Sequence, residues 1–178
     1  MIRGLLRIGA VAVVASWVLD RTLRWRAHGA PPAAVSTSVV IGAPIERVWA
    51  VVADIEGQPR WMQDMKSVRM TTSGPWQVGS RGEATVRMFG VGVTDPVTIT
   101  DFEPPTMFGI RHEGAFAGGG TFRLAPADGS AATVVDWEER LAAPVLAHAA
   151  AVVTTPIFRH VFEADLKRLR DLVENGAA

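Results

Sequence analysis

The sequence predicts an α+β domain in which a curved antiparallel sheet wraps around one long C-terminal helix, and three observations predict it. A β-branched run at residues 35–41, VSTSVVI, leads straight into a one-sided helical stripe. A long middle section follows, made of short β-type runs punctuated by Gly, Pro, Asp and Ser. The chain then closes on a stretch whose apolar residues recur on one helical face.

With 178 residues the chain suits one domain with a sizeable core and is too short for a multidomain assembly. Its 18 basic and 18 acidic residues cancel, which argues against a dedicated nucleic-acid binder, because phosphate recognition needs a basic face. The absence of Cys excludes disulfides, a thiol nucleophile, Cys-ligated zinc and iron–sulfur clusters.

The first segment stands apart. Residues 8–19, IGAVAVVASWVL, carry no charge, with Arg3 and Arg7 before them and Asp20, Arg21, Arg24 and Arg26 after. As a helix, residues 5–19 reach roughly 22 Å, short of a hydrocarbon core of about 30 Å, so spanning requires Arg7 to snorkel and Trp17 and Trp25 to sit at the headgroups. A signal peptide wants a small-residue cleavage site next, where DRTLRWR stands instead; an ordinary core helix is the bland alternative. We read residues 1–26 as an uncleaved single-pass anchor of a cell membrane, contacting the bilayer through residues 5–25 and leaving the domain on the cytoplasmic side. Residues 27–34, AHGAPPAA, read as a linker, and residues 35–178 as the domain.

Within the domain, residues 35–41 read as a strand. Pro44 then opens a helix in which Ile45, Val48, Trp49, Val52 and Ile55 share a face. Residues 59–65, PRWMQDM, suggest a second short helix with Trp61 and Met65 on one side. Six β-type runs follow, joined by connectors such as GPWQVGS, GVGVTD, PPT, GAFAGGG and PADGSA, which favours an antiparallel meander. Gly118, Gly119 and Gly120 read as a bulge or tight bend at a strand edge. From Pro144 the pattern is helical, with a kink or break expected at Thr155 and Pro156. The final helix places Phe158, Val161, Phe162, Leu166, Leu169, Leu172 and Val173 on one stripe, and Asn175-Gly176 supplies its stop.

A twisted sheet curled around one helix leaves space that side chains do not fill, so an internal cavity is expected. Four segments carry a resemblance: APIERVWAVVADIEGQPRWMQDM, the turn DFEPP, the run GGGTFRLAPADGSAATVVDWEERL and the ending FEADLKRLRDLVE. Together they resemble the SRPBCC superfamily, the START-like polyketide cyclase/dehydrase and lipid-transport group, over roughly residues 35–174. The resemblance implies a helix-grip fold, a seven-stranded sheet around the C-terminal helix with a hydrophobic ligand cavity between them. It implies no single chemistry, since members include carriers, receptors and cyclases and none of the matched segments is a catalytic signature.

The residues themselves add little catalytic signal. G-x-S-x-G, Walker, Rossmann and H-E-x-x-H motifs are absent. Of His28, His112, His148 and His160, no two stand four apart, so no metal site is expected. His160 faces away from the apolar stripe, and His148 sits either at the cavity mouth or on the surface. Strand alternation groups His112 with Phe108 and Ile110, and Glu139 with Val135, Trp137 and Leu141, placing both polar groups inward if the apolar sets do face in. Helical periodicity places Asp165 inside the stripe of Phe158 and Phe162. Burying these carboxylates demands compensation, for which Arg87, Arg111 and Arg123 are the strand candidates. The candidate ligand-binding set is therefore Phe108, Ile110, His112, Trp137, Glu139, Phe158, Phe162 and Asp165. Loops at residues 74–79 and 89–93, with Trp76 and Phe89, are candidates for an apolar rim.

Three functions compete. The first is a membrane-tethered binding or carrier domain for a hydrophobic small molecule such as a lipid, isoprenoid or polyketide-like compound, without a cofactor. The second is an aromatase/cyclase- or dehydratase-type enzyme with Glu139, Asp165 or His112 as acid and base. The third is an accessory subunit that binds a membrane-protein partner.

Overall fold

The computed structural model describes residues 2–88, 90–114, 117–127, 131–142 and 145–176. Helix α1, Ile2–Arg26, precedes strand β1, Val35–Ile41, helix α2, Ile45–Val52, and a 3-10 helix, Ile55–Arg60. Strands β2 (Met65–Met70), β3 (Arg81–Met88), β4 (Val91–Glu103), β5 (Met107–Glu113), β6 (Ala117–Pro126) and β7 (Thr133–Ala142) follow, and helix α3, Ala147–Asn175, closes the chain. The seven strands form one antiparallel sheet in the order β1-β7-β6-β5-β4-β3-β2. The meander is as expected. Its first strand pairs with its last, Val35 opposite Glu139 and Ile41 opposite Thr133. Register shifts in β2–β3 and β4–β5 disturb the regular ladder, and bulges of this kind bend a sheet.

The core lies between the sheet's inner face and α3, whose Phe158, Phe162, Leu166, Leu169 and Val173 are buried. Aromatic rings run through it without interruption. Trp49 meets Phe102, Phe102 meets Phe108, Phe108 stacks on Phe122, and Phe122 lies 4.9 Å from Trp137. Trp137 in turn lies 4.3 Å from Phe162, which stacks on Phe158. Pairs at these separations contribute beyond the area they bury.

Several local expectations are corrected. The second short helix comes earlier than residues 59–65. Asp54 caps it by accepting from the Gly57 N–H at 3.2 Å and pairing with Arg60 at 2.8 Å, and Met65 already begins β2. A Cβ at Gly57 would stand 2.0 Å from Asp54 Oδ2, so a side chain there would push the cap aside. The GVGVTD connector, from Val91 on, opens the 13-residue strand β4. Gly118, Gly119 and Gly120 lie inside β6, paired on both sides with β5 and β7. No break occurs at Pro156, which α3 incorporates; the proline removes one intrahelical donor, while Phe158 and Phe162 just beyond it are anchored in the core. Gly176 ends α3 in the left-handed conformation, its N–H bonded to Leu172 O at 3.1 Å. Pro144 and Phe89 lie outside the described residues, and Trp76 packs against the core.

The spanning anchor is not supported. Among the described residues no helix is long and apolar enough to cross a membrane. Helix α1 has the length, but its charges at both ends leave too short an apolar middle. It is also attached: Asp20 Oδ1 accepts from the backbone N–H of His148 at 2.8 Å and of Ala149 at 3.1 Å, capping the first turn of α3. His148 is thereby placed, its Nε2 lying 2.9 Å from Ala30 O. The 27–34 segment is similarly held, with Pro32 buried.

Candidate functional site

A cavity of about 110 Å³ opens between the inner face of β2–β7 and α3. Its wall is mostly apolar, and all eight candidate residues from the sequence line it. Phe108, Ile110 and His112 come from alternate positions of β5, and Trp137 and Glu139 from alternate positions of β7. Phe158, Phe162 and Asp165 come from one face of α3. Sequence reasoning missed Gln58, Met62, Asp64 and Asp95, which also line the cavity. Asp95 had a signal: it alternates with the buried Val97 and Ile99, but only if residues 91–95 are read as strand.

Glu139 is 6% exposed. Its Oε2 accepts from Trp137 Nε1 at 3.0 Å, while its Oε1 stands 3.4 Å from His112 Nε2, an ion-pair contact whose geometry falls short of a hydrogen bond. The carboxylate lies over Gly120, where a Cβ would stand 1.9 Å from Oε2 and 3.2 Å from Trp137 Nε1. A side chain at position 120 would evict the carboxylate. Gly120→Ala is therefore expected to cost about 1–3 kcal/mol through overpacking, whereas Gly92→Ala, with nothing within 4 Å of the added carbon, should be close to neutral. Urea denaturation of the two variants checks this; equal effects would remove the steric role of Gly120.

Burial is the largest single influence on His112 and pulls its pKa down. The adjacent Glu139, by short-range contact and by charge, and the charge of Asp95 together outweigh it, so the imidazole titrates above its ordinary value. Asp165 also titrates above its ordinary value. Burial raises it from 3.8 to about 6, helped by the nearby Asp64, against the Gln63 N–H bond and the Arg168 charge and hydrogen bond, which lower it. Those bonds measure 3.0 Å and 2.8 Å, both to Oδ1, and Arg168 also donates to Gln63 Oε1.

The compensating groups are not the expected ones. Arg87, Arg111 and Arg123 are exposed, and Arg111 and Arg123 pair with Glu113 and Glu138 on the outside. Inward arginines would have faced the same desolvation as the acids. Instead a half-exposed Arg168 reaches Asp165 from its own helix, and His112 faces Glu139. His160 is exposed, as its helical angle predicts. Among the described residues no group of three or more His, Asp or Glu is placed to hold a metal ion.

A family model described as polyketide cyclase/dehydrase and lipid transport matches residues 32–174. No curated protein matches. Among solved structures, a START superfamily protein from Mycobacterium smegmatis superposes with a TM-score of 0.67 at 18% identity, over 82% of this chain and 100% of that one. A Thermus thermophilus protein gives 0.66 at 21% identity, over 82% and 99%. The di-domain ARO/CYC StfQ of the steffimycin biosynthetic pathway gives 0.61 at 14% identity, over 79% of this chain and 44% of that one. At such identities the likeness is one of fold.

Proposed function

We propose, from the premise that the chain belongs to the polyketide cyclase/dehydrase and lipid transport family, that it binds a hydrophobic small molecule in the cavity and holds that cavity at a membrane surface. The observation that carries the reading is a partly open cavity between the sheet and α3, walled mostly by aromatic and aliphatic side chains. Close packing is the norm in protein interiors, and a void forfeits dispersion contacts unless something fills it. At about 110 Å³ it is near the size of voids, about 150 Å³, that take up a benzene ring. It therefore accepts a ring or short alkyl segment as it stands, and a longer guest by displacing side chains. Titration with the neutral fluorophore N-phenyl-1-naphthylamine tests this. Wild-type protein is expected to bind it, and Ala84→Phe, which fills the void from β3, to lose binding while remaining folded; binding unchanged in that variant would defeat the reading.

Helix α1 supplies the membrane contact by lying on the surface. It carries five Arg and one Asp, and it exposes Val13, Val14, Trp17, Val18 and Trp25, while Val152, Val153 and Ile157 on the adjoining α3 are exposed as well. Apolar side chains beside arginines suit an anionic lipid interface. Each Arg near such a surface contributes about 1 kcal/mol. The full chain should float with vesicles containing anionic lipid, and reversing two charges in Arg21→Glu/Arg24→Glu should weaken binding about 30-fold or more. Equal flotation of both would sever the helix from the membrane.

A second reading rests on the His112–Glu139 contact. An acid and a base within 3.4 Å of each other in an apolar cavity, with His112 titrating above its ordinary value, have the makings of a proton-transfer pair. Asp165 is the weaker participant, since Gln63 and Arg168 already occupy its Oδ1.

A further inference from the structure

The cavity's apolar wall carries a charge pattern that family membership does not dictate. Four carboxylates line it, Asp64 ahead of β2, Asp95 on β4, Glu139 on β7 and Asp165 on α3, and the single lining base among the described residues is His112 on β5. Even with His112 protonated, acids outnumber bases. Arg168, the counterion of Asp165, is half-exposed and does not line the cavity. A second observation is independent of this imbalance. Glu139 is more than nine-tenths buried, and the donor that faces its Oε1 among the described residues, His112 Nε2, stands 3.4 Å away, too far for a well-formed hydrogen bond. A buried acceptor held this loosely gains from a closer donor, because poor pairing of a buried polar group is costly.

Resting on the reading of the cavity as a ligand site, we propose that its guest is a hydrophobic molecule whose polar end donates hydrogen bonds, a protonated amine in preference to an alcohol, and that the site rejects carboxylates. An ammonium group beside Glu139 would give Oε1 a close, charge-assisted donor where His112 offers only the 3.4 Å contact. An alcohol would give the donor without the charge. A carboxylate would bring a further negative charge and no donor into a poorly solvated space already ringed by acids, and such repulsion is how a site excludes a wrong partner. The binding of fatty-acid-like anions is thus selected against, although the rest of the wall would accept their chains.

The test is calorimetric titration of the full chain at pH 7.5, in detergent-free buffer and below micellar concentrations, with octylamine, 1-octanol and octanoate. These probes share one alkyl chain and differ in the head group. The expected order is octylammonium, then octanol, then octanoate, with at least a 10-fold gap between the first and the last. In Glu139→Gln and in Asp95→Asn, each folded by circular dichroism, the amine-to-carboxylate ratio should fall several-fold. Octanoate binding as tightly as octylammonium overturns the proposal but leaves the hydrophobic-site reading standing; binding of none of the three defeats that reading and the proposal with it. An order that persists unchanged in both variants also overturns the proposal, because the discrimination would then arise elsewhere. Where a variant does not fold, the wild-type order alone decides.

Discussion

Trp137→Ala is expected to lower stability by about 3–5 kcal/mol, the cost of truncating a large core aromatic. Trp137 is buried and stands at the centre of the aromatic series, against Phe122, Phe162 and Trp61. Truncation removes those contacts and enlarges the existing void. It also deprives Glu139 Oε2 of its 3.0 Å donor, leaving a buried carboxylate with less support. Trp137→Phe lessens the first effect: it keeps a six-membered aromatic ring while losing the N–H and the rest of the indole, so about 1–3 kcal/mol of the loss should remain. Urea midpoints measured at constant slope give both values. A near-neutral Trp137→Ala would mean that the aromatic series contributes little.

The second large effect is a pH dependence traceable to one carboxyl. Asp165 titrates at about 6 in the folded chain against an ordinary 3.8, so between those values the folded state holds a proton that the unfolded state has lost. Its contribution to stability is therefore complete below about pH 4 and is lost as the pH rises through about 6. The difference between the two values corresponds to about 3 kcal/mol. Asp165→Asn keeps an acceptor for Gln63 and Arg168 but has no charge to desolvate. It should be close to wild type at pH 4.5 and more stable by up to about 3 kcal/mol at pH 8. A variant that gains nothing between these pH values would show that Arg168 and Gln63 fully compensate the buried charge.

Much of this site was legible because alternation is a geometric rule. Val135, Trp137 and Leu141 face inward on β7, so the acid between the latter two had to face inward as well, and the same logic assigned His112 from Phe108 and Ile110. The helical angle did so for Asp165. What escaped was misread through glycine. GVGVTD resembles a connector, which concealed Asp95, and the glycines of β6 resemble a bend. Gly120 instead leaves room for the Glu139 carboxylate, a contact between neighbouring strands that local propensity does not encode. Arg168 escaped for another reason. Arg87, Arg111 and Arg123 on the sheet are exposed, and the partner comes from the next turn of the same helix. The membrane span failed on charge placement, since the arginines and Asp20 toward the two ends of α1 leave too short an apolar middle.

The clasp formed by Asp20 has a mechanical corollary. Two backbone bonds join the leading rod to the very start of the long closing one, so pulling the former aside must first uncap the latter, at a cost of about 0.5–2 kcal/mol. The N-terminal arm therefore keeps a preferred bearing relative to the chamber beneath the closing helix.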